Sequence, residues 1–163
     1  TMSNQRVLHL FEAQNKHLWL GTEGGLTVFD PQKKTFKTFD TRHGLPENHV
    51  NGIIQDEDGF IWLSTQHGVS RYDPQRGTFS NYDKQDGTWV DEFWDRNSFR
   101  DSRNQLYFGG DKGLVVFNPR NILSNSFVAP VVFTDFLLSN QRVKPDSSKK
   151  EMPKWLAEKR RGK

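Results

Sequence analysis

The chain has no cysteine in its 163 residues, so no disulfide braces it and no thiolate can bind zinc or act as a nucleophile. No apolar stretch approaches the length that spans a bilayer, which excludes membrane contact by the chain itself. No signal peptide opens it, and the first residue is Thr1, not an initiator methionine. Catalytic signatures are also missing: there is no Gly-x-Ser-x-Gly elbow and no phosphate-cradling glycine loop before a helix. The five histidines, His9, His17, His43, His49 and His67, lack metal-ligand spacing. These gaps exclude the common enzyme classes and leave no cofactor to expect.

Nor is there a basic body. The net charge of +3 is a property of the tail, because residues from Lys144 onward carry eight Lys or Arg against three acids. The remainder holds 15 basic and 17 acidic side chains, a balance of −2. Nucleic-acid binding needs positive charge gathered on the recognition surface, so that partner class is excluded.

What is present is repetition. Trp19, Gly21, Thr22, Gly25, Leu26, Phe29, Pro31 and Phe36 recur as Trp62, Ser64, Thr65, Gly68, Val69, Tyr72, Pro74 and Phe79, 43 residues on. A third copy follows Tyr107, 45 residues after Trp62. Short β-prone segments and tight turns at this period are the mark of propeller blades.

The second unit reads as four strands: His49–Gln55, Phe60–Thr65, Val69–Asp73 and Thr78–Tyr82. Pro74 stops the third, since proline cannot donate to a ladder. Asp56 to Gly59 is a turn, its acids read as solvated and not as a calcium loop, which needs a longer ligand series. The fold class is therefore all-β: a partial propeller of three four-stranded antiparallel blades, at about 6–40, 49–83 and 94–118, within residues 1–121. The last blade lacks its outer strand, because no Thr-Phe-x-x-Tyr segment follows Pro119. Residues 122–143 read as a linker and one strand of a further domain, and 144–163 as a basic tail, disordered or briefly helical. Val7, Leu10 and Phe11 align with Val50, Ile53 and Ile54, so the chain opens inside a repeat and reads as cut from something longer. An arc of three blades with open edges is expected to self-associate.

The Trp-x-Gly-Thr, Gly-Leu and Phe-x-Pro series, with the link Gly44-Leu45-Pro46-Glu47-Asn48-His49-Val50, resembles the two-component regulator propeller repeat. Residues 129–136 resemble the opening strand of the Ig-like sandwich that follows the propeller in that family. The resemblance implies the periplasmic, non-catalytic input part of a membrane receptor that signals to a histidine kinase or a diguanylate cyclase. Gly109-Gly110-Asp111 evokes the cyclase signature, but Lys112-Gly113 follows and the segment falls on a repeat hairpin. Two other classes stay open: a protein-interaction scaffold, and a propeller lyase or glycosidase.

Departures from the repeat mark candidate sites, because equivalent aromatics in every blade report architecture. The largest departure is Asp86 to Arg96, two residues longer than its counterpart. Strand alternation puts it on the face of the Gln66-His67 hairpin. Trp89, Trp94, Arg96, His43, His49 and His67 are then expected on one rim, with Glu23 and Lys112 near it. Aromatic and charged groups at a concave mouth suit a small molecule or an oligosaccharide. The competing reading is that these loop residues only pack on neighbouring blades.

Overall fold

The computed structural model describes residues 6–88, 90 and 92–122, with the backbone of Leu137–Leu138 and Gln141–Arg142. Trp89, the sandwich strand expected at 129–136 and the basic tail lie outside the described residues. By contacts the chain divides into Thr1–Leu123 and Ser124–Lys163. In the second unit two short strands, Leu137–Leu138 and Gln141–Arg142, pair antiparallel.

The first unit holds three antiparallel sheets in chain order. Strands β1 (Val7–Glu12), β2 (Leu18–Thr22), β3 (Gly25–Asp30) and β4 (Thr35–Phe39) form the first blade. Strands β5 (Val50–Gln55), β6 (Ile61–Thr65), β7 (Gly68–Asp73) and β8 (Thr78–Tyr82) form the second. The third has three strands, β9 (Phe93–Arg100), β10 (Leu106–Gly110) and β11 (Gly113–Phe117), and starts one residue before the expected Trp94. Each strand pairs with the next in sequence, as the repeat requires. Among the described residues the helical content is three single 3-10 turns, at Thr41–His43, Lys84–Asp86 and Pro119–Asn121.

Two local rules explain why the repeat folds this way. Hairpins β2–β3 and β6–β7 close on Gly25 and Gly68, at φ of 123° and 111°, a conformation that favours glycine. The Thr of the motif ties the same hairpin, since Thr22 Oγ1 donates to Gly25 O at 2.8 Å and Thr65 Oγ1 to Gly68 O at 3.2 Å. The Gly of Trp-x-Gly-Thr answers to close packing: a Cβ on Gly21 would stand 2.5 Å from the Val50 carbonyl oxygen of the next blade.

Blades stack face to face through two apolar clusters. Trp19, Leu26, Val28 and Phe39 of the first meet Ile53, Leu63 and Tyr72 of the second, and Leu45 from the link is buried with them. Ile54, Trp62 and Val69 of the second blade then meet Phe93, Leu106 and Phe108 of the third. Trp19, Tyr72, Trp62 and Phe117 of the repeat are thus interblade packing, whereas Phe29 meets Phe36 and Tyr107 meets Phe99 within their own blades.

The turn between the first two strands of each blade is where the structure corrects the sequence reading. Asp56 is not a solvated turn acid; it is 1% exposed. Its Oδ2 accepts from the Trp62 indole at 2.7 Å and its Oδ1 from Phe60 N at 2.9 Å. In the third blade Asp101 repeats this, accepting from Tyr107 Oη at 3.2 Å and from Gln105 N at 2.9 Å. In the first blade the position is Ala13. There Asn15 Oδ1 takes the equivalent backbone donor, His17 N, at 3.1 Å, and the buried Trp19 indole N–H has no partner.

Candidate functional site

The inner strands β1, β5 and β9 each carry a bulge at the same height. Leu8 is the extra residue in β1, where Val7 pairs Thr22 and His9 pairs Gly21. Asn51 is the extra residue in β5, between the pairs Val50–Thr65 and Gly52–Ser64. In β9 the partners jump from Phe93–Gly110 to Ser98–Phe108, so Trp94, Asp95, Arg96 and Asn97 together oppose Gly109. The two additional residues of the third repeat therefore sit in this bulge, not in the preceding link. A bulge of this kind re-aims side chains that a regular ladder would fix.

The bulge is tied to its neighbours by polar contacts. Asn51 Nδ2 donates to Asp95 Oδ1 at 2.8 Å, and His49 Nε2 lies 3.9 Å from the same oxygen. Arg96 has φ of 61°, an uncommon value for a residue with a side chain. Its Nε donates to Leu8 O of the first blade at 3.1 Å. His9 stands close by: its Nδ1 accepts from Ile53 N at 2.9 Å. Burial, then the Arg96 charge, hold the His9 pKa below its ordinary value, so the ring is neutral near pH 7. Trp94 is 56% exposed. The bulge thus carries an exposed aromatic ring, a carboxylate tied to the second blade and a guanidinium tied to the first, with His49 beside the carboxylate and His9 within the field of the guanidinium. Such a set can stack on a sugar ring and hydrogen-bond a hydroxyl or an anionic group.

The six residues singled out from sequence fall in different places. His49 approaches Asp95 on the β9 bulge, which also carries the exposed Trp94 and Arg96, the latter bonded to Leu8 O. His67 lines a separate groove of about 550 Å³ with Gln66, Asp83, Lys84, Gln85 and Glu92. His43 is used in a turn, where its Nδ1 accepts from Asp40 N at 3.3 Å and lies 2.8 Å from Asp40 Oδ1. Trp89 lies outside the described residues. Three neighbours escaped the sequence reading: His9, Asn51 and Asp95. Among the described residues, no group of three or more His, Asp or Glu is arranged to hold a metal ion. No described helix is long and apolar enough to cross a membrane.

Comparison with known proteins bears on the whole arc. The two component regulator propeller family matches residues 1–24 and 44–67. "Histidine kinase P4" of Formosa agariphila is 32% identical over 88% of this chain and 14% of its own length. Among solved structures, the extracellular domain of a hybrid two component system, BT3049 of B. thetaiotaomicron, superposes with a TM-score of 0.70. It shares 26% identity over 86% of this chain and 20% of that one. The extracellular domain of BT4673 from the same organism gives 0.62 at 27% identity, over 72% of this chain and 16% of its own. The chain thus spans about a seventh to a fifth of the length of these relatives.

Proposed function

We propose, for a chain whose blades carry the two-component regulator propeller repeat, a place in the signal-input half of a membrane receptor. In this reading the blades lie outside the cytoplasm and perform no chemistry. A small molecule or an oligosaccharide binds the propeller and biases its arrangement, or its association with a second propeller. The change is relayed to a histidine kinase or cyclase output outside this chain. The observation that supports this most is the likeness to the extracellular domain of BT3049 across 86% of the chain.

Within that reading, the β9 bulge is the ligand contact. A repeat protein makes a site by breaking its repeat, and the break here concentrates Trp94, Asp95 and Arg96 on four consecutive residues. Asp95 and Arg96 also tie the bulge to the second and first blades, whereas the exposed Trp94 has no part in the core that Phe93 and Phe108 fill. The test is a receptor carrying these blades, coupled to a transcriptional reporter and exposed to oligosaccharide mixtures. Trp94→Ala is expected to raise the half-maximal dose about tenfold with unchanged basal output and thermal stability, and Arg96→Ala to raise it similarly while also losing its tie to Leu8 O. An unchanged dose response contradicts the reading.

A further inference from the structure

We infer that the β9 bulge and the inner strand of the first blade build an oxyanion seat, in which the Arg96 guanidinium and the His9 Nε2–H take a carboxylate or sulfate group of the ligand. The inference gives a chemical class to the ligand contact proposed above and rests on that reading for its role in signalling. The seat itself lies between two strands that this chain supplies, β1 and β9.

The contacts of the bulge decide where its charges go. Asp95 and Arg96 are neighbours in sequence, yet their side chains part. Asp95 Oδ1 accepts from Asn51 Nδ2 of the second blade at 2.8 Å, with His49 Nε2 at 3.9 Å. Arg96 turns to the first blade, where its Nε donates to Leu8 O at 3.1 Å. A backbone carbonyl is a neutral acceptor and takes one N–H of the fork, so the guanidinium keeps its charge and its remaining donors. Among the described residues it pairs with no carboxylate. The other cations near His9 are already matched: Lys16 stands 2.7 Å from Glu12, and Arg100 lies 4.0 Å from Glu57.

His9 supplies the second donor. It follows Leu8 on β1 and lines one groove with Arg96. Its Nδ1 accepts from Ile53 N at 2.9 Å, and this interblade bond fixes the tautomer: the neutral ring carries its proton on Nε2. That nitrogen has no hydrogen-bond partner among the described residues. Two donors from different blades thus gather beside Leu8 O, one of them charged. An arginine fork matches the paired oxygens of a carboxylate or sulfate, and charge-assisted bonds are the stronger kind. A neutral hydroxyl leaves the guanidinium charge uncompensated. Trp94, exposed on the same bulge, offers a ring on which the body of such a ligand can stack.

NMR on the full chain tests the seat, with the His9 ring and Arg96 Nε–H signals followed at constant ionic strength. Sodium glucuronate and sodium sulfate are each expected to shift both signals saturably, with Nε2 and not Nδ1 as the ring nitrogen that moves. Glucose at the same concentration shifts neither. A bound oxyanion offsets the Arg96 charge, so the His9 ring titrates at a higher pH when the seat is filled. Arg96→Gln, which keeps an N–H for Leu8 O, is expected to raise the half-saturating glucuronate concentration about tenfold or more, and Arg96→Lys to recover part of the loss. Trp94→Ala separates the sources of the anion: a loss for glucuronate alone assigns the seat to an acidic sugar, and no loss for either salt assigns it to a free oxyanion. No saturable shift with either salt overturns the proposal, as does an unchanged response in Arg96→Gln. Glucose matching glucuronate also overturns it, while leaving the sensor reading intact. A seat that fills in a receptor whose reporter stays silent refutes the sensor reading and leaves the seat standing.

Discussion

Replacing Asp56 by alanine removes a side chain with two buried obligations at the centre of the arc. Asp56 takes the Trp62 indole N–H at 2.7 Å and the Phe60 amide at 2.9 Å, and Trp62 is 0% exposed. Each orphaned buried donor costs about 1–3 kcal/mol. Releasing a buried carboxylate from its desolvation returns part of this. The net expected loss is about 2–4 kcal/mol, and Asp56→Asn, which keeps one acceptor oxygen but turns an amide N–H toward the other donor, loses about 1–3 kcal/mol. The first blade supplies the reciprocal change. Ala13 leaves the Trp19 indole unpartnered while Asn15 already serves the backbone donor. Ala13→Asp is therefore expected to gain about 1 kcal/mol. Urea unfolding followed by tryptophan fluorescence and circular dichroism measures all three. The reasoning fails if Asp56→Ala lies within about 0.5 kcal/mol of the wild type, or if Ala13→Asp destabilises as much as Asp56→Ala does.

Gly21→Ala forces a methyl against the Val50 carbonyl, and a loss of about 1–3 kcal/mol in urea unfolding is expected. Trp62→Ala is expected to cost about 3–5 kcal/mol, whereas Trp94→Ala, exposed on the bulge, stays within about 0.5 kcal/mol; equal losses would place Trp94 in the core. His9 has a folded pKa below its ordinary 6.5, so its contribution to stability is full above that value and is lost as pH falls through the folded one. His9→Asn is expected to flatten that part of the stability profile. Arg96→Ala is expected to raise the His9 pKa only part of the way in an NMR titration, because burial is the larger cause.

Strand order and blade stacking were legible because both follow from a period and from glycines at fixed offsets. The second blade's strands fall within a residue of the sequence expectation, since Gly68 and Pro74 punctuate them. The role of Asp56 was not read, because a turn acid is ordinarily solvated. The signal existed: Asp56 and Trp62 share a six-residue step with Asp101 and Tyr107, while Ala13 breaks it before Trp19. The longer segment of the third repeat was noticed but misplaced. Asp83 to Gly87 keeps a 43-residue offset from Asp40 to Gly44, as does Phe93 from Val50, so the extra residues fall after Phe93. Only strand register shows that they become a bulge. His9 was unreadable, since its counterpart in the second blade is Gly52 and its role comes from a neighbouring strand. His43 and His67 share a loop face in the topology, but a capping turn and a separate groove take them up.

The most direct test of the account is to restore the repeat. Excising Asp95 and Asn97 shortens the β9 bulge towards the single-residue bulge at Asn51 and leaves Phe93, Leu106 and Phe108 to fill the core. In a receptor carrying these blades, ligand-dependent reporter output is expected to disappear, with surface expression and basal output retained and thermal unfolding shifted by only about 4–8 °C, the equivalent of roughly 1 kcal/mol. A shortened bulge that still signals at the wild-type ligand dose would contradict the account.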